Sequence, residues 1–198
     1  MNRTIAACAV LIAAATADAS ANDGVVYAEV KDTWRITAHP GGNDLADACM
    51  ASAYYPNINS MLSVLVSIDQ QATLAVSSPA VGKNLIDGKS YNFDIYMNGR
   101  PYNQTPSVAS GNSVAFTLNI DGLNAIMQAR SIAIETGILP LGNFNLQHSR
   151  AAILKLLECA RALQMAQEER AVDRALEEPP SRGLTFEDMP ALQSSRSM

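Results

Sequence analysis

The sequence predicts a mainly β domain, an antiparallel β-sandwich or barrel of about seven or eight strands, with a short internal helix and a C-terminal helix packed on it. Three observations carry this. Between Val25 and Gln147 the apolar residues recur mostly at every second position, the period of strands with one dry and one wet face. Residue pairs that favour reversals fall between those runs. From Ser149 the spacing changes to three and four, the stripe of an amphipathic helix.

The elements follow in order. Trp34, Ile36 and Ala38 alternate with Arg35 and Thr37, and Pro40-Gly41-Gly42 then reverses the chain. Leu62, Val64, Val66 and Ile68 form the next clear alternation. Asp87-Gly88 precedes Tyr91, Phe93, Ile95 and Met97; Asn98-Gly99 and Gly111-Asn112 each supply the positive φ that a tight hairpin needs. Val114, Phe116, Leu118 and Ile120 read as one further strand. Asp121 is the expected cap of a short helix bearing Leu123, Ile126 and Met127, after which Ile132 and Ile134 resume the strand period. Ser149 is the expected N-cap of the last helix, whose stripe is Ala152, Ile153, Leu156, Cys159, Ala160 and Leu163. Beyond it the mixed-charge QMAQEERAVDRALEE continues the helix toward Pro179-Pro180, and SRGLTFEDMPALQSSRSM lacks any period and is expected to be disordered.

Export is expected from the first residues. Arg3 supplies a positive start, Ile5 to Ala17 an apolar core, and Ala17-Asp18-Ala19 or Ala19-Ser20-Ala21 a small-x-small cleavage site. The expected organisation is a signal peptide over 1–21, a β-domain with its helix over 22–163, and a charged helical extension with a disordered tail over 164–198. A membrane anchor would need about 20 apolar residues, and Asp18 interrupts the run, so no transmembrane segment is expected in the mature chain. The periplasm is the expected address, with secretion as the alternative. The whole chain has 14 Lys and Arg against 19 Asp and Glu, a formal charge of −5. Nucleic acid is excluded as a partner, because it calls for clustered basic residues.

Cys8 leaves with the leader, and Cys49 and Cys159 remain. In an oxidising compartment an even pair predicts a single disulfide, closing a loop of about 110 residues. Two separate buried thiols are the competing reading, since free cysteine packs as a small apolar side chain.

The spacing Leu146, Ser149, Ala152, Leu156, Cys159 resembles the Leu-x-Gly-Ser-x-x-Ala-x-x-x-Leu-x-x-Cys ending of a group of small uncharacterised exported proteins of Gram-negative bacteria. In that group a Trp strand and then a Cys open the β-domain, as Trp34 and Cys49 do here. The resemblance implies a periplasmic β-sandwich in which the first cysteine pairs with the helix cysteine. This chain departs from the pattern at His148, where the group has Gly. More distantly the layout is similar to that of invasion-associated locus B proteins, exported β-domains linked to host-cell entry, which carry further cysteines.

Reactive constellations are sparse. A zinc set would have to come from His39, Asp44, Asp47 and His148, without HxxxH or HExxH spacing, so no metal site is expected. There is no G-x-S-x-G elbow and no phosphate-binding glycine loop, so no catalytic residues and no cofactor are expected. YMNGRPYNQTP, from Tyr96 to Pro106, is the candidate interaction tip, with Asn98, Arg100, Tyr102 and Gln104 as its contact residues. Taken together, the sequence points to an exported, non-catalytic periplasmic binding or protein-interaction domain of unknown partner, for which a cell-envelope protein is the candidate. The alternatives are a secreted or outer-surface invasion-associated factor and a periplasmic hydrolase.

Overall fold

Period-two alternation does build strands here, and more of them than the sequence suggests. The computed structural model describes residues 24–39 and 47–177. Within them the chain is mainly β, with ten strands: β1 (Val25–Val30), β2 (Trp34–His39), β3 (Ala48–Tyr55), β4 (Ser60–Ser67), β5 (Ala72–Ser77), β6 (Ser90–Met97), β7 (Arg100–Ser110), β8 (Ser113–Leu118), β9 (Ser131–Thr136) and β10 (Leu139–Asn145). All pair antiparallel in one open sheet, ordered β1-β2-β3-β4-β5-β8-β7-β6-β9-β10. Helices α1 (Pro79–Asn84), α2 (Ile120–Gln128) and α3 (Ser149–Glu177) complete it.

The strand count therefore corrects the expected seven or eight. Two strands hide from periodicity. β7 is polar and contains Pro101 and Pro106, so it reads as loop, yet pairing with β6 holds it extended. β10 contains Pro140 and Gly142, between which the register slips against β9. Gly142 has φ 148°, and a Cβ there would come within 2.7 Å of Ile58, so this bulge requires glycine.

The sheet bends about β7. That strand pairs with β6 as far as Val108 but with β8 only through Ala109 and Ser110. Strands two places apart in a flat sheet are separated by about 9–10 Å. Phe93 on β6 and Phe116 on β8 nevertheless meet edge to face with ring centroids 5.2 Å apart. Tyr55 at the end of β3 likewise meets Phe144 on β10, with centroids 5.1 Å apart, although seven places separate the two strands in the sheet order. Trp34, Phe93, Phe116 and Phe144 are the largest fully buried side chains, so the core lies inside this curve.

The helix stripe falls as expected: Ala152, Ile153, Leu156, Cys159 and Ala160 are buried, and Leu163 packs at the margin of the core. The caps do not. Asn119, not Asp121, caps α2, its side-chain oxygen accepting from the Gly122 amide at 2.8 Å. Ile120, expected as the end of a strand, is the first residue of that helix and is 69% exposed. Ser149 begins α3, but its buried hydroxyl donates to the Ile126 carbonyl of α2 at 3.0 Å rather than turning onto its own helix. Helix α1 was not foreseen, although Ser78 caps it and Pro79 opens it.

The chain divides between Gln164 and Met165 into two compact units. The first holds the sheet, α1, α2 and the opening part of α3, and the second holds the rest of that helix. Among the described residues no helix is long and apolar enough to cross a membrane. The signal peptide over 1–21, the turn Pro40-Gly41-Gly42, Asp44, Pro179-Pro180 and the segment after them lie outside the described residues.

Candidate functional site

The two cysteines meet. Cys49 on β3 and Cys159 on α3 form a disulfide across a sequence separation of 110, with Cα atoms 6.1 Å apart and both residues buried. Register explains the placement of Cys49: it pairs with Ala38 on one side and Val66 on the other, on the inward face that β3 shares with Ala51 and Ala53. Helical spacing from Ala152 and Leu156 does the same for Cys159. The two cysteines therefore tie helix to sheet and offer no free thiol for chemistry.

The two histidines lie on different elements. His39 closes β2, and its Nε2 lies 2.8 Å from the Thr37 hydroxyl. His148 lies in the turn between β10 and α3, next to Gln147, whose carbonyl accepts from the Trp34 indole at 3.0 Å. Trp34 and His39 occupy opposite ends of β2, about 16 Å apart at strand rise. Among the described residues no three His, Cys, Asp or Glu side chains gather as metal ligands.

The candidate tip is a two-residue hairpin. Asn98 and Gly99 have φ 53° and 74°, and Met97 pairs with Arg100 across them, the geometry of a type I′ turn. The four expected contact residues then separate in role. Asn98 is exposed, but its side-chain oxygen accepts from the Arg130 amide at 2.7 Å and the Ser131 amide at 3.3 Å, holding the hairpin to the start of β9. Gln104 donates to Asp94 on the neighbouring strand at 2.8 Å. Arg100 and Tyr102 are exposed, and Tyr102 is the extra residue of the bulge between Pro101 and Asn103. Beside them on β6, a hydrogen bond to Glu135 and that carboxylate's charge hold the Tyr96 phenol above its ordinary range.

Sequence reasoning missed an open cleft of about 740 Å³ beside this hairpin. Its walls are the turn from α2 into β9, with Arg130 and Ser131, and the turn from β10 into α3, with His148 and Arg150. Several hydrogen bonds fix the two turns. The Leu146 amide donates to the Arg130 carbonyl at 2.8 Å, and Ser149 reaches the Ile126 carbonyl. Gln147 is held through its carbonyl by Trp34 and through its amide by Asn145 at 2.9 Å. The Tyr55 hydroxyl donates to the Asn145 carbonyl, and burial pushes that phenol up to about 12. His148 takes φ 65°, a left-handed conformation that glycine adopts more readily. Of the cleft's lining, His148 stands out in the sequence only as one of two histidines.

No protein family model matches the chain, and no curated relative matches it. Among solved structures it is similar to invasion associated protein B from Bartonella henselae, at 12% identity, over 65% of this chain and 94% of that one, with a TM-score of 0.47. This is a distant structural neighbour, and a likeness at that level transfers no residue role to this chain.

Proposed function

We propose that this chain is an exported, non-catalytic binding or protein-interaction domain of the periplasm. The observation that carries the reading is the buried disulfide between Cys49 and Cys159, a bond that forms and persists in oxidising compartments. The leader expected over 1–21 supplies the route out of the cytoplasm. We take the bend about β7, together with the contacts between β3 and β10, as a sheet closed over into the two layers of a sandwich. On that scaffold the hairpin after Asn98 is the contact surface, with Arg100 and Tyr102 as the side chains that meet a cell-envelope protein.

Fractionation of the native host tests the address. The expected result is a leader-shortened protein in the periplasmic fraction; the same protein in the culture supernatant would favour the secreted alternative. A full-length, leader-bearing chain in the cytoplasm would overturn the proposal. Crosslinking in the cell envelope then tests the surface: Arg100→Ala with Tyr102→Ala is expected to abolish the captured partner, and unchanged capture would remove the hairpin from consideration.

A further inference from the structure

The cleft beside the hairpin is a concentration of positive charge in an acidic protein. Arg130 and Arg150 line it, and among the described residues no Asp or Glu does, although the whole chain carries 19 acidic residues against 14 Lys and Arg. Neither arginine forms a salt bridge among the described residues, where the ion pair found joins Lys155 to Glu158. Arg150 also stands in the first turn of α3, which holds no acidic residue. The partial charge of a helix start is positive, so a cation there is of the wrong sign for the fold alone. An oxyanion seated in the cleft would take charge-assisted hydrogen bonds from the exposed guanidiniums.

The cleft is also built rather than incidental. Arg130 is held through its amide by Asn98 and through its carbonyl by Leu146. Arg150 follows Ser149, whose hydroxyl is bonded to α2. Both guanidiniums thus extend from anchored backbone beside an open cleft of about 740 Å³, room enough for a small anion.

We propose that this cleft binds a small organic anion through its carboxylate or phosphate oxygens, with Arg130 and Arg150 as the two clamps. The proposal deepens the binding-domain reading by naming a ligand class, and it does not depend on the periplasmic address. Planar guanidinium forks donate two parallel hydrogen bonds to either oxyanion, a contact that a lysine does not reproduce.

The test is calorimetric titration of the purified, disulfide-intact protein with succinate and, separately, with inorganic phosphate, using glycerol as the uncharged control. Saturable binding at or below about 1 mM is expected for at least one of the two anions and none for glycerol. Response to succinate alone identifies a carboxylate ligand, and response to phosphate alone a phosphoryl one. Arg130→Gln and Arg150→Gln should each weaken binding by about tenfold or more, whereas Arg35→Gln, at an exposed arginine of β2 outside the cleft lining, should not. In the unmutated protein the amide resonances of Ser131 and Ser149 should shift along the same titration, a readout that survives if a variant fails to fold. No saturable binding of either anion, or unmutated affinity in both arginine variants, would overturn the anion site. Either result would leave the export and hairpin readings to their own tests.

Discussion

Strands β4 and β7 stand three places apart in one sheet and differ in almost everything else. β4 buries Ser60, Leu62, Ser63, Val64 and Val66, so both its faces are covered over much of its length. β7 is longer, eleven residues, and buries only Ser107 and Ala109. The sheet therefore has a region held by packing and a region held mainly by backbone pairing. Around β4 lie Trp34, Cys49 and the disulfide to α3, where substitution costs stability. At the start of β7 lie the hairpin and the exposed side chains of Arg100 and Tyr102. The difference teaches that one sheet divides burial unequally between its strands, β4 being packed on both faces and β7 largely exposed.

Four variants break or sharpen that contrast. The largest effect belongs to Trp34→Ala, which removes a fully buried ring and the indole bond to the Gln147 carbonyl; a loss of about 3–5 kcal/mol in denaturant unfolding is expected. A loss below about 1 kcal/mol would place the stable region elsewhere. Tyr55→Phe comes next, at about 1 kcal/mol for the lost bond to Asn145. It also carries a pH signature. Below pH 10 the phenol is neutral in both states; between 10 and about 12 the unfolded chain loses that proton while the folded one keeps it. The unfolded state then binds fewer protons, so the wild type loses stability as the pH rises through this window. Tyr55→Phe should show a shallower decline, and an identical one would mean that burial does not hold this phenol neutral.

His148→Gly should raise stability by roughly 0.5–1 kcal/mol, because the left-handed φ costs a side chain more than glycine's extra freedom costs the folded state. Destabilisation would mean that the imidazole makes a contact that outweighs its strain. The smallest effect is expected for Arg100→Ala with Tyr102→Ala, within about 0.5 kcal/mol of wild type in urea unfolding. A large loss there would erase the division between the two regions.

The legible parts of this fold were those where periodicity and burial agree. Trp34 and Ile36, Phe93 and Ile95, and the stripe from Ala152 to Ala160 are buried as their spacing requires. Ile120 misled because it keeps the two-residue period of Val114, Phe116 and Leu118, while the Asn119 cap had already turned the chain into a helix. Ser149 is a good capping residue by type, but a carbonyl of another helix took its hydroxyl, a tertiary partner that no local pattern reveals. β7 was hidden for the converse reason, since its strand state comes from pairing with β6 and not from its own composition. The cleft was illegible because its walls come from two turns well apart in sequence, around Arg130 and around His148, brought together by backbone bonds. Of the expected tip, the hairpin turn was legible in Asn98-Gly99, but the inward role of the Asn98 side chain was not.

The account rests most heavily on the covalent tie between β3 and α3, which the model for disulfides values at about 2–5 kcal/mol and which an oxidising compartment must supply. Peptide mapping by mass spectrometry, on protein recovered from its native host with thiols blocked before digestion, tests it directly. The account predicts one peptide pair linked through Cys49 and Cys159 that separates on reduction. Recovery of both residues as blocked free thiols would contradict the tie, and with it the proposed export.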